Sequence, residues 1–463
     1  MDKLQDRIQA SVITDDGEVT LASQFITAMQ ETVGKMISTN GNLWTYSDGV
    51  WEKENPEILM AYIQCFDGLA FTRQSGAPGR VKMSHAKVRG VFASVLVHRD
   101  CLSPDFFDDA KAGVCFKNGF VSIEEIDGVH RLVLRPHAWE HKATMKVPQD
   151  APKDMIVPRA FIGFLEELFD GDDDSQMKIS VIQEFCGAAL ANIGYRYQKV
   201  LLLVGHGANG KSTLAKIIEG CFPPEQVTST SPSRWSNEYQ LALLANSRIN
   251  ICTELPTADS DVSDIFKAVV AGDRLVCRLP YQPPQHISPR AAHMFSSNYL
   301  PSSKDFSEGF FRRFLIVQLN RNFQKEGATK TMDSIIEKMQ PERAEIIMWC
   351  LHGALNLIKR GAYEVPMSGK VAEADWRVEA DSVLDFIVSC CNREEQRSDF
   401  EFLSAVYSDF AKWCYSINRK PPGHRVFARR LVALDVAKEK IGGQTKVGLT
   451  LKPRTMWSDW DLN

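Results

Sequence analysis

The sequence lacks several features that would place it in a specialised class of protein. Its eleven cysteines are scattered with no Cys-x-x-Cys pair, and the nearest two are Cys390 and Cys391. It therefore predicts free thiols, and neither a zinc cluster nor a disulfide framework. The longest apolar run, residues 346–358, is interrupted by His352 and Asn356 and is shorter than the roughly 20 residues of a membrane span. We expect no membrane partner.

Strong charge and targeting signals are also missing. The formal net charge is −4 over 463 residues, so any surface that binds nucleic acid has to be local. The first ten residues, MDKLQDRIQA, lack the apolar stretch of a signal peptide, and we expect a cytoplasmic protein. The acidic run at residues 170–174 lacks the glycine and the terminal glutamate of a calcium loop, which predicts a solvated loop.

The length predicts two to four domains. Proline-bearing connectors and changes of pattern divide the chain into four segments. A mixed α/β segment, with a hairpin predicted at Asp127-Gly128, comes first, and a helical segment follows it. An α/β segment then alternates buried strands with helices, and a small helical domain ends in a second hairpin. The predicted boundaries are 1–155, 156–197, 198–365 and 375–463.

The strongest motif lies at the start of the third segment. The apolar residues 199–204 predict a buried parallel strand and lead into GHGANGKS, which satisfies G-x-x-x-x-G-K-[ST]. In such a loop, backbone N–H groups surround phosphate oxygens at the start of a helix, a lysine contacts the β- and γ-phosphates, and a hydroxyl ligates Mg²⁺. We predict that ATP and Mg²⁺ bind through Gly205, Gly207, Asn209, Gly210, Lys211, Ser212 and Thr213.

Polar residues beside later strands predict the rest of a catalytic site. Glu254 follows the strand RINICT, where a carboxylate can hold Mg²⁺ or polarise the attacking water. Asn298 follows AAHMFSS and can bond the γ-phosphate or that water. Arg312 and Arg313 precede a fourth strand, and a guanidinium supplied by a neighbouring subunit would make hydrolysis depend on assembly. An incidental glutamate and a surface arginine pair that forms salt bridges stay the alternatives.

The order of these motifs, GxxxNGKST, strand-Glu, K-x-x-x-A-G-D, S-N-x-L-P and R-R-F, resembles the superfamily 3 helicases, above all the phage, plasmid and poxvirus primase–helicase group. The resemblance covers roughly residues 41–451. It implies an α/β, AAA+-like P-loop NTPase core with a mixed α/β domain before it and a winged-helix domain after it. One departure is that no second acid precedes Glu254, so Ser212 and the phosphates would hold most of the metal.

The same resemblance implies how the protein would act. It predicts an ATP-dependent DNA helicase that replicates a phage or other mobile element in a bacterial cytoplasm. A homo-hexameric ring would translocate on single-stranded and forked DNA, with residues 156–197 as an oligomerisation collar. Residues 1–155 show neither a zinc cluster nor a convincing set of paired aspartates, so a separate primase is the expected partner.

A hairpin is predicted to contact DNA. In the family that the sequence resembles, a hairpin between the K-x-x-x-A-G-D motif and the strand before the asparagine projects into the pore of the ring. Here that stretch has apolar residues on both sides of a proline-rich tip. Polar and aromatic side chains there can contact phosphates or stack on bases. The candidates are Arg278, Tyr281, Gln282 and His286.

A local basic patch gives a second, independent indication of DNA binding. Residues 421–454 carry eight basic residues against two acidic ones, a local net charge of +6. Arg425, Arg429 and Arg430 fall on one predicted helix, and lysines follow in the predicted hairpin. Such a patch neutralises phosphates and releases counterions. A basic face that contacts another protein or solvent stays an alternative.

Two other classes of function stay open. An origin-binding initiator or helicase loader would use the same ATPase as a switch, without processive unwinding. Sequence-specific footprinting by the C-terminal region would favour it. A metabolic kinase would need a site for a small substrate and would not respond to DNA, and the Arg-Arg-Phe and Ser-Asn elements argue against it.

Overall fold

The computed structural model describes residues 2–73, 75–154, 156–253, 255, 263–278, 284–301, 305, 307–327 and 330–453. Of the predicted site residues, Glu254, Tyr281 and Gln282 lie outside these described residues, as does Arg454 of the basic patch. No helix within the described ranges has an apolar stretch long enough to cross a membrane.

Helices and small antiparallel sheets make up the N-terminal region. Two of the sheets have the strand orders β1-β2-β3 and β6-β7-β8. The predicted hairpin at Asp127-Gly128 is confirmed: both residues have positive φ, as the tight turn between two strands requires. The elements are α1 Asp2–Gln9, α2 Glu18–Val33, β1 Met36–Thr39, β2 Asn42–Ser47, β3 Val50–Lys53, α3 Pro56–Gln64, β4 Ala70–Thr72, β5 Pro78–Arg80, α4 His85–Leu96, β6 Gly113–Phe116, β7 Gly119–Ile126 and β8 Val129–Arg135.

A parallel sheet with helices around it forms the centre of the chain. Its strands are runs of valine, leucine and isoleucine, which suit burial on both faces of a parallel sheet. The elements are α5 Arg159–Leu168, α6 Ser175–Leu190, β9 Val200–Val204, α7 Lys211–Glu219, β10 Val227–Thr228, α8 Glu238–Ala242, β11 Ile249–Cys252, α9 Ser263–Ala271, β12 Leu275–Cys277, β13 Gln285–Ile287, β14 Ala292–Ser297, α10 Glu308–Phe311, β15 Phe314–Gln318, α11 Met332–Met339 and α12 Arg343–Arg360.

The strand order of this sheet is β10-β11-β14-β9-β15, and every neighbouring pair is parallel. β9 therefore lies between β14 and β15 and is flanked by strands that come about 90 and 115 residues later. Because all the strands point the same way, the loops that follow β9, β11 and β14 leave from one edge of the sheet. The fold is thus mixed α/β with a parallel sheet, as predicted.

Helices α6 and α12 cross closely beside this sheet. A Cβ atom on Gly187 would overlap the carbonyl oxygen of Cys350, and one on Gly353 would lie 2.5 Å from the carbonyl oxygen of Gln183. Glycine at both positions lets the two backbones approach. One hydrophobic cluster contains residues of both helices and of the sheet, so the predicted boundary at residue 197 crosses a shared core.

The C-terminal region has a hydrophobic core of its own. Phe386, Phe410 and Phe427 belong to it, and they come from three different helices. The predicted helical domain with a terminal hairpin is present, since β18 and β19 pair across Gly442-Gly443. The elements are α13 Met367–Ala380, which packs against β15, then α14 Ser382–Cys390, β16 Cys391–Arg393, β17 Glu401–Phe402, α15 Leu403–Ser416, α16 His424–Ala433, β18 Lys438–Ile441, β19 Gln444–Val447 and β20 Leu449–Leu451.

Candidate functional site

The glycine-rich loop lies between β9 and α7, where the sequence predicts it. Ala208 and Gly210 have φ values of 61° and 83°, so the loop turns through the left-handed region twice before the helix begins. A Cβ atom on Gly205 would overlap the side-chain amide of Asn209 and the carbonyl oxygen of Leu319. Gly207 is exposed and an added Cβ atom there would meet nothing within 4 Å. The loop is thus held tightly from the sheet side and is open on the other side.

Lys211 is buried at the first position of α7, with 8% of its surface exposed. Its ammonium donates to the carbonyl oxygen of Gly205 and to Asn209 Oδ1 at 3.0 Å, and Asn298 Oδ1 lies 3.5 Å from Nζ. Burial lowers the pKa of the lysine. The parallel pairing of β9 with β14 therefore brings together Lys211 and Asn298, which are 87 residues apart.

The loop after β15, residues 319–327, is joined to the glycine-rich loop by hydrogen bonds, and we call it the brace loop. Asn322 Nδ2 donates to the carbonyl oxygen of Gly207 at 3.1 Å, and the Phe323 amide donates to that of Ala208 at 2.9 Å. Asn209 Nδ2 in turn donates to the carbonyl oxygen of Leu319 at 3.3 Å. The sequence does not predict these contacts, because nothing in the local pattern of the brace loop shows which distant loop it contacts.

The acidic run beside the brace loop is more than a solvated loop, so that prediction is wrong for two of its residues. Lys178, which is fully buried, forms ion pairs with Asp172 at 2.9 Å and Asp174 at 3.4 Å. Asn320 also donates to Asp172, at 2.9 Å. A buried ammonium requires such partners, because the free-energy cost of moving a charge out of water is high unless the charge is paired. The run thus links α6 to the start of the brace loop.

The two predicted arginines differ sharply in their surroundings. Arg313 is 7% exposed and donates to the backbone carbonyl oxygens of Gly309 and Lys267. Burial, together with the charge of Arg312, lowers the pKa of the Arg313 guanidinium. Arg312 is exposed. Lys267, the lysine of the K-x-x-x-A-G-D motif, forms an ion pair with Asp305 at 2.6 Å.

Both arginines lie at the edge of the sheet opposite the glycine-rich loop. Phe314 pairs with Val200 at the start of β9, so Arg313 precedes the amino end of the sheet, whereas Gly205 follows its carboxyl end. At about 3.3 Å per residue, the two edges are roughly 20 Å apart. An arginine side chain is much shorter than that distance, so neither arginine reaches the glycine-rich loop of its own chain.

The predicted hairpin is present as β12 and β13, which pair antiparallel with Val276 opposite His286. His286 is exposed, and Arg278 is half-buried with an Nε atom that has no hydrogen-bond partner among the described residues. The other two candidates, Tyr281 and Gln282, lie outside the described residues. The base of the hairpin contacts α8, and β13 is followed in the chain by β14.

The basic residues of α16 fall into two groups. Arg425 and Arg429 are exposed one turn apart on the same face, whereas Arg430 Nε donates to Asp381 at 2.6 Å. Asp381 also caps α14 through the amide of Val383, so Arg430 ties α16 to α14. Lysines at positions 438 and 440 of β18 are exposed too. The exposed part of the patch is therefore formed by Arg425, Arg429, Lys438 and Lys440.

The glycine-rich loop fits a nucleoside triphosphate, and the surrounding donors suit Mg²⁺ in part. The loop is open on the side of Gly207, and Ser212 is exposed in the first turn of α7 with Thr213 half-buried beside it. No group of three or more metal-ligating side chains occurs within the described residues. The metal would therefore be held by the Ser212 hydroxyl, with Glu254 as the second predicted ligand.

Comparisons with known proteins found a family model and a curated relative. A family described as "Family of unknown function (DUF5906)" matches residues 203–313, which run from the end of β9 to Arg313. A protein of Acanthamoeba polyphaga mimivirus, described as "Putative helicase L207/L206", is 22% identical over 232 residues. That similarity covers 46% of this chain and 24% of the other, so the chain spans about a quarter of the length of this curated relative.

Solved structures of similar shape were also found. "The A form apo structure of NrS-1 C terminal region-CTR" has a TM-score of 0.47 and 10% identity, with 95% of this chain and 100% of that chain covered. "The apo structure of NrS-1 C terminal region (305-718)" has a TM-score of 0.46, also at 10% identity and with the same coverage.

Proposed function

We propose that the chain is an ATP-dependent DNA helicase of superfamily 3, which assembles as a homo-hexameric ring and translocates on single-stranded DNA. The observation that carries this proposal is the meeting of Lys211 and Asn298 beside a glycine-rich loop, at the carboxyl edge of a parallel sheet. The similarity to a protein described as a putative helicase supports it. AAA+-like architecture and replication of a phage or other mobile element belong to the same proposal.

Within one subunit, the glycine-rich loop and the start of α7 would bind the phosphates of ATP. Backbone N–H groups of the loop and the positive end of the helix dipole favour an anion there. The Lys211 ammonium would contact the β- and γ-phosphates, and Asn298 would orient the attacking water or sense the γ-phosphate. Mg²⁺, held by Ser212 and Glu254, would supply charge neutralisation between the two phosphates. Hydrolysis would therefore change the partners of both Lys211 and Asn298.

Hydrolysis would be completed by the neighbouring subunit. Arg312 is exposed on the edge of the sheet away from its own phosphate loop, so its guanidinium is available to the nucleotide of another subunit. Arg313 would hold the segment in place through its bonds to Gly309 and Lys267. A guanidinium that arrives with the neighbour makes ATP turnover depend on ring assembly.

Two surfaces would hold the DNA. The hairpin would present Arg278, Tyr281, Gln282 and His286 to a single strand in the pore. The C-terminal region, whose helices and hairpin have the order expected of a winged helix, would bind the fork or the flanking DNA through its basic face. A separate primase is the expected partner at the fork.

Rates of ATP hydrolysis with and without single-stranded DNA test this proposal, alongside ATP-dependent unwinding of a forked duplex. The expected result is stimulation by DNA and strand separation that requires hydrolysable ATP. ATP turnover that ignores DNA, with sequence-specific footprints and no unwinding, would instead support an initiator or helicase loader. A monomer in the presence of a non-hydrolysable nucleotide contradicts the ring.

Loss of Arg425 and Arg429 together is expected to weaken the binding of single-stranded DNA by about tenfold at moderate salt. Each exposed guanidinium would neutralise about one phosphate, so the slope of log affinity against log salt should fall by about 1 to 2 in the R425A/R429A variant. A salt titration of fluorescence anisotropy measures both quantities. The control is Lys412→Ala on α15, whose lysine is also exposed and pairs with Asp409. An unchanged slope would show that the patch does not touch DNA.

A further inference from the structure

Arg290 lies at a junction between three parts of the molecule. It comes three residues after β13 ends and two residues before β14 begins, so it connects the hairpin to the strand that leads to Asn298. Its guanidinium donates to the backbone carbonyl oxygen of Phe107 at 2.9 Å and to Asp108 Oδ1 at 2.6 Å. Both partners belong to the N-terminal region. One side chain therefore joins that region to the hairpin and to the central sheet.

The N-terminal loop that receives Arg290 is firmly anchored. The Phe107 ring packs edge-on against Trp44 with 4.8 Å between centroids, and Phe106 packs likewise against Trp51 at 4.9 Å. Trp51 is 1% exposed and its Nε1 atom donates to the carbonyl oxygen of Trp139. Aromatic pairs of this geometry hold a loop more rigidly than polar surface contacts do. Arg290 thus binds to a fixed platform.

The two ends of the segment that carries the hairpin, Gly272 and Arg290, both lie against Tyr195. The Arg290 guanidinium lies over the ring of Tyr195, 5.4 Å from its centroid. Gly272, which precedes β12 with φ +71°, lies so close that an added Cβ atom would be 3.3 Å from Tyr195 Cδ2. Both ends of the segment that carries the hairpin therefore converge on Tyr195, with Arg290 packed between that ring and the N-terminal region.

The hairpin needs such an anchor. β12 and β13 pair over three residues each, and a two-stranded ribbon of that size is marginally stable at best by itself. A second contact nearby, from Arg248 Nη2 to Thr144 Oγ1 at 2.9 Å, fixes the N-terminal region to the start of β11. The start of the hairpin is held by α8, where the Arg278 amide donates to the carbonyl oxygen of Glu238, and by the burial of Cys277. Arg290 adds a contact between the other end of the hairpin segment and the N-terminal region.

We propose that Arg290 is a positioning residue, which holds the base of the DNA-contacting hairpin against the N-terminal region through Phe107, Asp108 and Tyr195. This inference rests on the proposed function. A hairpin that is held in one position loses less conformational entropy when DNA binds than one that moves freely. Within the described residues, Arg290 contacts neither Lys211 and Asn298 of the candidate nucleotide site nor Arg278 and His286 of the hairpin. We therefore expect loss of Arg290 to raise the DNA concentration that is needed to stimulate ATP hydrolysis. The rate of ATP hydrolysis without DNA should stay unchanged.

The test compares the full-length wild type with the variants Arg290→Ala, Asp108→Asn and Asp105→Asn. For Arg290→Ala, we expect the single-stranded DNA concentration that gives half-maximal stimulation of ATP hydrolysis to rise about tenfold, with the DNA-free rate unchanged. Asp108→Asn, whose side chain is exposed, should raise it about threefold. Asp105 lies exposed in the same loop and is not a partner of Arg290, so Asp105→Asn should behave as the wild type.

Hydrogen exchange without DNA or nucleotide gives a second readout. Amides of β12 and β13 should exchange at least about tenfold faster in Arg290→Ala, while those of β9 and β14 keep their protection. The inference is wrong if the hairpin amides of Arg290→Ala exchange at the wild-type rate. It is also wrong if DNA stimulates the wild type and Arg290→Ala at the same concentration. Either result leaves the proposed function standing. A wild type that DNA does not stimulate overturns both.

Discussion

Lys211→Ala is expected to lower the rate of ATP hydrolysis by at least about 100-fold and to abolish DNA unwinding. The lysine ammonium is buried between the glycine-rich loop and Asn298, where a positive charge acts on phosphate with little screening by water. Alanine removes that charge and leaves the loop backbone in place. Phosphate release at saturating ATP measures the first effect, and strand separation of a forked duplex measures the second.

Lys216→Ala is the matched control, because Lys216 is on the same helix but is exposed and pairs with Glu219 at 2.7 Å. It should retain the wild-type rate. The melting temperature separates loss of chemistry from loss of fold. Removing the ammonium relieves its unfavourable desolvation but leaves the Gly205 carbonyl oxygen and Asn209 Oδ1 without that donor, so the two effects oppose each other and the melting temperature should change only slightly. Hydrolysis by Lys211→Ala at the wild-type rate would contradict a nucleotide site at this loop.

The sequence was sufficient to predict the buried strands. It also predicted that polar residues which follow these strands lie at the carboxyl edge of the sheet. Runs such as VLLLV are too apolar and too short for anything except a strand that is covered on both faces, and β9 is fully buried. Because such strands pair in parallel, residues that follow their carboxyl ends had to approach the glycine-rich loop. Asn298 does so. The hairpin of β12 and β13 was predictable in the same way, from apolar residues on both sides of a proline-rich tip.

The contacts around this edge could not be predicted, because their partners are far apart in the chain. Nothing local to Asn322 or Phe323 indicates that they bond the glycine-rich loop more than 100 residues earlier. The same holds for Asp172, which looked like one acid in a solvated run and instead binds the buried Lys178. Arg430 shares a predicted helix with Arg425, and only the packing of α16 on α14 shows that it faces Asp381. Helical periodicity predicts which residues share a face of a helix. It does not predict which other element packs against that face.

Arg312→Ala is expected to lower ATP hydrolysis by about 10³-fold without changing the melting temperature or the affinity for nucleotide. Arg312 precedes the amino edge of the sheet, and its glycine-rich loop follows the carboxyl edge, roughly 20 Å away, so we expect its loss to affect a site formed with a neighbouring subunit. Arg313→Ala should behave differently. It removes the hydrogen bonds from the buried guanidinium to the carbonyl oxygens of Gly309 and Lys267, and should lower the free energy of unfolding by about 1 to 3 kcal/mol. Phosphate release, nucleotide titration and thermal unfolding distinguish the two arginines.

Mixing two inactive variants then tests whether the arginine acts on a neighbour. An Arg312→Ala subunit keeps an intact phosphate loop, and a Lys211→Ala subunit keeps an intact arginine, so each supplies what the other lacks where they meet in a ring. Equal mixing should restore about one quarter of the wild-type interfaces, because the four ordered pairs of neighbouring subunits are equally frequent and only one of them joins an intact glycine-rich loop to an intact arginine. Dilution below the assembly concentration should abolish the restored rate. If the mixture stays inactive although mixed rings form, Arg312 does not reach the neighbouring nucleotide, and hydrolysis has to be completed within one subunit.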